Sequence, residues 1–202
     1  MYQRVLYISE KTLGEEHANI STIYNNLADL YTSQGEYHKA EESYKKALHI
    51  SKKILGENHP ETAVSYNNLA GIYRNKKDYQ KAEELCQRAL HICQKVLGEE
   101  HPDTAGSYNN LATIYMKRGK RKEAEALHKK TIMICEKTLG EWHPQTASAY
   151  NNLAYIYEKQ GKYQEAEELY QTALHINEKV LGKEHPDTQA IKDHLAELYE
   201  IS

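Results

Sequence analysis

The sequence of 202 residues has no phenylalanine, one tryptophan, four prolines and three cysteines. It has no run of about 18 apolar residues, so it predicts no membrane-spanning helix. An odd number of cysteines gives no disulfide framework, and we expect Cys86, Cys93 and Cys135 to be small buried side chains in a reducing, cytoplasmic location. The net charge of −3 gives no general reason to bind nucleic acid, and it disfavours single-stranded RNA as a ligand.

The most informative feature is the segment Tyr-Asn-Asn-Leu-Ala, which recurs at a fixed period of 42 residues. Its four copies occupy residues 24–28, 66–70, 108–112 and 150–154. A period of this length indicates one structural unit stacked on itself. The hydrophobic core of such an array lies between neighbouring units, so we expect no single centre of packing.

The first half of a unit is predicted to be a helix, as residues 59–75 illustrate. Pro60 suits the first turn of a helix, where its missing N–H costs no hydrogen bond. Apolar side chains then recur at positions i, i+3, i+4 and i+7 and mark one helical face. They are Tyr66, Leu69, Ala70 and Tyr73.

The second half of a unit is predicted to be another helix. A turn at residues 75–78 interrupts the first pattern, and the other copies carry glycine near the same place, which is typical of a left-handed residue that ends a helix. These glycines are Gly35, Gly119 and Gly161. An apolar stripe then runs from about Tyr79 to Leu97, so each unit is a hairpin of two antiparallel helices.

The repeat predicts an all-α chain with about ten helices in a single repeat domain over residues 1–202. A lone second helix is expected at 1–14, and a more polar capping helix is expected at 185–202, where Asn-Asn has become Asp193-His194. The N-terminal half-repeat suggests that the chain was cut from a longer array. The four full repeats are 17–56, 59–98, 101–140 and 143–182.

The hairpin resembles the tetratricopeptide repeat, whose pattern has large and small residues at fixed places in both helices. The matching positions in the second repeat are Tyr66, Leu69, Ala70, Tyr73, Ala82 and Cys86. The 42-residue form, with its Asn-Asn-Leu-Ala, Gly-Lys-Tyr and Leu-Gly-x-x-His-Pro segments, is similar to the repeat domain of kinesin light chains and their bacterial relatives. Examples are Asn109–Ala112, Gly161–Glu167 and Lys95–Pro102.

The resemblance implies a right-handed superhelical solenoid that binds proteins and lines its concave surface with the first helices. The heptad region through which kinesin light chains join the motor is missing from these residues, so motor transport does not follow. The expected function is a non-enzymatic adaptor that holds an extended peptide segment of a partner in that groove. The alternative is a structural array, or a regulatory one with weak self-association, that has no peptide ligand of its own.

The paired asparagines are the candidate peptide-binding residues. On a helical wheel the second asparagine lies opposite the apolar stripe, and the first lies at the margin of that opposite face. An amide can donate to a peptide carbonyl and accept from a peptide N–H, whatever side chains the peptide carries. The alternative is that the asparagines bond the neighbouring helix and set the repeat spacing, and the two roles are compatible. The candidates are Asn26, Asn68, Asn110 and Asn152, with Asn25, Asn67, Asn109 and Asn151 beside them.

Variable positions on the same face are expected to set specificity. They are Asp29, Arg74, Lys117, Tyr155, Lys159 and Glu158. A dense basic cluster around the turn of the third hairpin is typical of a solvated polar face, and the alternative is that it attracts an acidic partner segment. The cluster consists of Lys117, Arg118, Lys120, Arg121, Lys122, Lys129 and Lys130.

The histidines invite a metal interpretation, but five of them lie one per repeat and cannot converge on one ion. We expect these five to cap helices: His17, His59, His101, His143 and His185. His128 stands where the other repeats have Tyr44, Cys86 and Tyr170, and we expect a tolerated core histidine there. The sequence has no phosphate-binding loop and no catalytic motif outside the repeat pattern, so we expect neither a cofactor nor catalysis.

Overall fold

The computed structural model describes residues 2–14 and 17–201, and helices account for most of them. The ten helices of this described part follow the order that the repeat predicts. Residues 1 and 202, the outer limits of the two predicted half-repeats, lie outside the described residues. The helices are α1 (Tyr2–Leu13), α2 (Ala18–Ser33), α3 (Tyr37–Leu55), α4 (Pro60–Asn75), α5 (Tyr79–Val96), α6 (Pro102–Lys117), α7 (Arg121–Leu139), α8 (Pro144–Lys159), α9 (Tyr163–Val180) and α10 (Pro186–Ile201).

The helices fall into two compact units, which we call unit 1 (Met1–Glu99) and unit 2 (Glu100–Ser202). In unit 1 consecutive helices pack on each other, α1 on α2, α2 on α3, α3 on α4 and α4 on α5. In unit 2 the helices from α6 to α10 pack in the same way. Sequential packing of this kind is what adjacent antiparallel hairpins produce, so the predicted all-α hairpin architecture is confirmed.

Each first helix of a hairpin begins at a histidine whose side chain caps it, as predicted. The Nδ1 atom of His59 accepts a hydrogen bond from the backbone N–H of Glu61 at 3.2 Å. The same bond recurs, at 3.1–3.2 Å, at His17, His101, His143 and His185. Because this bond satisfies a helix N–H that has no partner within the helix, the histidine helps to fix where each repeat starts.

A left-handed residue lies in the turn between the two helices of each full hairpin. Gly35, Gly119 and Gly161 have φ values of 75°, 76° and 77°. Lys77 occupies the same place in the second repeat and has a φ of 62°. The predicted turn at 75–78 is therefore present, with lysine in a backbone conformation that favours glycine.

Alanine allows the second helix of each hairpin to pack closely on the first. One position of that helix is alanine in every full repeat and has 0% exposure each time: Ala40, Ala82, Ala124 and Ala166. The predicted burial of the cysteines is also confirmed, and these are Cys86, Cys93 and Cys135. Burial raises the pKa of the Cys86 thiol to about 12, so this side chain is a neutral core residue near pH 7.

A glutamate on α3 ties the first hairpin to the second, which the sequence did not predict. The Glu41 carboxylate accepts a hydrogen bond from the Tyr73 hydroxyl at 2.8 Å and another from the Lys76 ammonium at 2.6 Å. Burial alone would raise its pKa, but hydrogen bonds from Lys45, Lys76 and Tyr73 together lower the pKa of Glu41 to about 2. The carboxylate is therefore held in its charged form at the junction of two hairpins.

In unit 2 the glutamates at the positions equivalent to Glu41 make similar links. Glu125 on α7 accepts a hydrogen bond from the side-chain N–H of Gln160 at 3.0 Å. Glu167 on α9 accepts one from the Tyr199 hydroxyl of α10 at 2.8 Å. A glutamate on each of α3, α7 and α9 thus contacts the end of the first helix that follows it.

Candidate functional site

In unit 2 the asparagine pairs bond one first helix to the next. The side-chain N–H of Asn152 on α8 donates to the Oδ1 atom of Asn109 on α6 at 2.8 Å. One repeat later, the Nδ1 atom of His194 lies 3.1 Å from the Oδ1 atom of Asn151. Both contacts join the second position of one repeat to the first position of the repeat before it. The amides therefore help to space the first helices of unit 2, which is one of the two roles considered from the sequence.

Unit 1 joins its first helices through hydroxyl groups. The Ser21 hydroxyl on α2 lies 2.9 Å from that of Ser51 on α3, and Ser51 lies 3.5 Å from the hydroxyl of Ser65 on α4. The asparagine contact is not repeated here, because the Oδ1 atom of Asn25 is buried without a hydrogen-bond partner in the described part of the chain. The same sequence motif is therefore used differently in the two units.

Four of the predicted site residues come together in unit 2 around a cavity of about 450 Å³ between α6, α7 and α8. They are Lys117, Asn152, Tyr155 and Lys159. Arg121 and His128 also line this cavity, although the sequence did not place them at the site. Asn110, the remaining second-position asparagine of the unit, is half-buried on α6.

The predicted site residues of unit 1 lie on α2 and α4. The exposed ones are Asn26, Asp29 and Arg74, and the half-buried ones are Asn25, Asn67 and Asn68. Asp29 accepts a hydrogen bond from the hydroxyl of Tyr44, so its carboxylate is engaged within its own hairpin. Burial and the contact with Asp29 together raise the pKa of the Tyr44 hydroxyl, which therefore stays a donor.

Glu158 differs from the expectation that it faces the groove, because it is only 6% exposed. It accepts a hydrogen bond from the Tyr170 hydroxyl at 2.9 Å and pairs with the Lys159 ammonium. Burial, together with the hydrogen bond to Glu158, raises the pKa of the Tyr170 hydroxyl. The acidic group is thus held inside the hairpin, and the exposed charges around the cavity are basic.

His128 is buried with 2% exposure, as expected for a core histidine. Its Nδ1 atom has no hydrogen-bond partner in the part of the chain that the structure describes. Burial lowers the pKa of His128 to about 4, so the ring is neutral near pH 7. The sequence could have indicated its place at the cavity only through a comparison of equivalent positions in the four repeats, since helical periodicity marks it simply as core.

The side chains that line this cavity can form hydrogen bonds and carry positive charge. Among the described residues, no three His, Cys, Asp or Glu side chains are grouped where they could hold a metal ion. The described helices also include none that combines the length and the apolar character needed to cross a membrane.

Comparison with known proteins identifies the family to which the repeat belongs. The model of the tetratricopeptide repeat matches residues 1–53, 20–74, 61–137, 103–179 and 145–202. None of the curated proteins matches the chain. Among solved structures, BtubC (BKLC) from P. vanneervenii is 27% identical with a TM-score of 0.79, over 98% of this chain and 78% of that chain. Kinesin light chain-like repeats from Podosopora anserina are 32% identical with a TM-score of 0.75, over 91% of this chain and 87% of that chain.

Proposed function

This chain belongs to the tetratricopeptide repeat family, in a 42-residue, kinesin light chain-like form, and on that premise we propose that it is a protein-binding adaptor. Tetratricopeptide repeats mediate protein–protein interactions. In this proposal the first helices of the repeats hold an extended segment of a partner protein. The observation that carries it is the cavity between α6, α7 and α8, where amide, basic and aromatic side chains gather.

The amide atoms that take no part in contacts between first helices can form hydrogen bonds with a peptide backbone. Asn152 uses one N–H on Asn109, and its second N–H and its carbonyl oxygen can pair with peptide groups. First helices packed about 8–10 Å apart would match about three residues of extended peptide per repeat, at roughly 3.3 Å each. Binding through the backbone gives affinity with little dependence on peptide sequence, so specificity must come from the side chains around the amides.

The charges around the cavity favour a partner segment that contains acidic residues. Lys117 and Arg121 line the cavity from α6 and α7, and Lys159 lines it from α8. Tyr155 adds a ring that is 37% exposed and lies under the Lys159 ammonium, 5.0 Å from the ring centroid. Positive charge beside an exposed ring suits a segment that combines an acidic with an apolar side chain.

A peptide array, followed by titration of its hits in solution, tests the proposal. The variant Asn110→Ala should bind the selected peptides up to about tenfold more weakly, because one lost hydrogen bond contributes roughly 0.5–1.5 kcal/mol. Its melting temperature should stay close to that of the parent. A large loss of stability with unchanged peptide affinity would contradict a binding role for Asn110.

If the chain is instead a structural or self-associating array without a peptide ligand, the same experiments should give a different result. No array peptide would then bind, and sedimentation would show association that rises with protein concentration. A chain that binds a peptide and stays monomeric over a wide concentration range would remove this alternative.

A further inference from the structure

The tyrosine of the Tyr-Asn-Asn-Leu-Ala segment lies under a positively charged side chain in each of the first three full repeats. The cation comes from one position on the second helix of the same hairpin, so this cation–π contact is a regular feature of these repeats. The pairs, with the distance from the cationic group to the ring centroid, are Lys46–Tyr24 at 5.1 Å, Arg88–Tyr66 at 5.9 Å and Lys130–Tyr108 at 4.6 Å.

The fourth repeat has the tyrosine without the cation. Its tyrosine is Tyr150, and Thr172 stands at the position that holds lysine or arginine in the other three repeats. Within the described part of the chain, no ammonium or guanidinium group lies over the Tyr150 ring. Tyr150 and Thr172 instead line a second cavity of unit 2, of about 540 Å³, between α7, α8 and α9.

The charges around this tyrosine also differ from those of the second repeat. Two cations, Lys52 and Arg88, lie over the ring of Tyr66. One acid, Glu57, accepts the hydrogen bond of the Tyr66 hydroxyl. The equivalent residues of the fourth repeat are, in the same order, Glu136, Thr172 and Glu141. The fourth repeat thus keeps the acid, loses both cations and gains a second acid.

The other residues that line the second cavity add an acid and aromatic rings. Glu168 is a third carboxylate of the lining, and none of the three forms an ion pair within the described residues. Trp142, a residue type that no other linker has, lies edge to face with His175, with ring centroids 5.4 Å apart. The Lys179 ammonium lies 3.3 Å from the Trp142 ring centroid, but Lys179 does not line the cavity. Carboxylates without a positive partner, beside aromatic rings, attract a cation.

We propose that this cavity receives an arginine or lysine side chain of a partner protein, in place of the cation that the first three repeats supply from their own chain. The proposal adds a binding site to the adaptor, because this cavity shares no lining residue with the one between α6, α7 and α8. The cationic group lies over the Tyr150 ring and pairs with the carboxylates of Glu136 and Glu141. Arginine should bind more tightly than lysine, because its planar guanidinium both stacks on rings and pairs with carboxylates through two hydrogen bonds.

A titration observed at Trp142 tests the proposal with three tripeptide probes. The chain has one tryptophan, so its indole N–H gives a single NMR signal at the cavity. Acetyl-Gly-Arg-Gly-amide and acetyl-Gly-Lys-Gly-amide present the two cations. Acetyl-Gly-citrulline-Gly-amide has nearly the shape of the arginine probe without its charge, and it should bind about tenfold or more weakly than the arginine probe.

Three variants locate the effect. Thr172→Lys restores the cation that the first and third repeats carry, and it should weaken binding of the arginine probe about tenfold or more without lowering the melting temperature. Glu141→Gln should weaken binding about fivefold, because one carboxylate of the cavity loses its charge. Glu184→Gln removes the same charge from an exposed linker residue outside the cavity lining, and it should change the affinity by less than about twofold.

Equal binding of the arginine and citrulline probes, or no binding of either cationic probe, would overturn the cation assignment. Unchanged affinity of a folded Thr172→Lys variant would also overturn it, since the position that supplies the cation in the other repeats would then not control the site. Spermidine that binds more tightly than both cationic peptides would overturn the assignment to a protein side chain.

Discussion

Unit 1 and unit 2 contain the same 42-residue repeat, yet different polar side chains connect their first helices. In unit 1 the hydroxyl of Ser51 on α3 lies 2.9 Å from that of Ser21 on α2 and 3.5 Å from that of Ser65 on α4. In unit 2 the serine position is taken by Cys135, and the Asn109–Asn152 contact at 2.8 Å joins the first helices. Equivalent helices are thus held together by hydroxyl contacts in one unit and by an amide contact in the other.

This comparison of the two units separates the contacts that all repeats share from the contacts that vary between repeats. The capping histidines and the fully buried alanines are the same in both units. Those shared contacts set where helices begin and how closely they pack. The polar contacts between first helices differ from one unit to the other, so these positions can acquire a binding role without loss of the fold.

The largest expected effect concerns the Glu41 link of unit 1. Glu41→Gln should lower the free energy of unfolding by about 2–3 kcal/mol, because it weakens hydrogen bonds made to a charged and buried group. Glu125→Gln in unit 2 should cost less, because the Glu125 side chain is 18% exposed and its contact with Tyr157 is 3.5 Å long. Urea unfolding measures both, with the exposed Glu42→Gln as control. Equal losses at Glu41 and Glu125 would remove this contrast between the units.

Acid should destabilise unit 2 at a higher pH than unit 1. The pKa of His128 is lowered from 6.5 to about 4, so its stabilising contribution is present above pH 6.5 and is lost as the pH falls toward 4. The pKa of Glu41 is lowered from 4.5 to about 2, so its contribution is lost only between pH 4.5 and 2.

The single tryptophan, Trp142, lies in unit 2 and is 41% exposed, so its fluorescence reports on that unit. At pH 5, His128→Cys should remove about 2 kcal/mol of the acid destabilisation followed by this signal. An unchanged pH dependence in this variant would show that His128 does not stay neutral in the folded protein.

A smaller effect tests the two asparagine arrangements directly. Asn109→Ala should destabilise the protein by about 1 kcal/mol, because it removes the acceptor of the Asn152 N–H. Asn25→Ala removes a buried Oδ1 atom that has no partner within the described residues, so it should be neutral or slightly stabilising. Thermal unfolding of the two variants gives the comparison. A larger loss for Asn25→Ala would mean that unit 1 uses the asparagine as unit 2 does.

The helices, their histidine caps and the buried cysteines could be predicted from the sequence, because each depends on local pattern and repeats every 42 residues. The Glu41 link could not, because it depends on which side chains of the next hairpin come within hydrogen-bond distance. The helical wheel placed the second asparagine away from the apolar stripe, but it gave no distance to the neighbouring helix. It therefore could not show that Asn152 reaches back to Asn109.

The cavity of unit 2 was anticipated only in part. Lys117, Tyr155 and Lys159 were expected on one face and do line one cavity. Glu158 was expected beside them, but its pairing with Tyr170 draws it into the core. Such a choice between core and surface depends on a partner in the other helix of the hairpin, which a single-helix pattern does not contain.

We expect the two asparagines of the α6 pair to have different roles, because Asn109 accepts the hydrogen bond from Asn152 and Asn110 is a proposed peptide-binding residue. The variants Asn109→Ala and Asn110→Ala separate these roles within one helix. Each variant is titrated with an array-selected peptide and unfolded in urea. Asn109→Ala should lose about 1 kcal/mol of stability and keep its affinity within about threefold, whereas Asn110→Ala should keep its stability within about 0.5 kcal/mol and lose about tenfold in affinity. Equal effects of the two substitutions on both properties, or the reverse assignment, would contradict the claim.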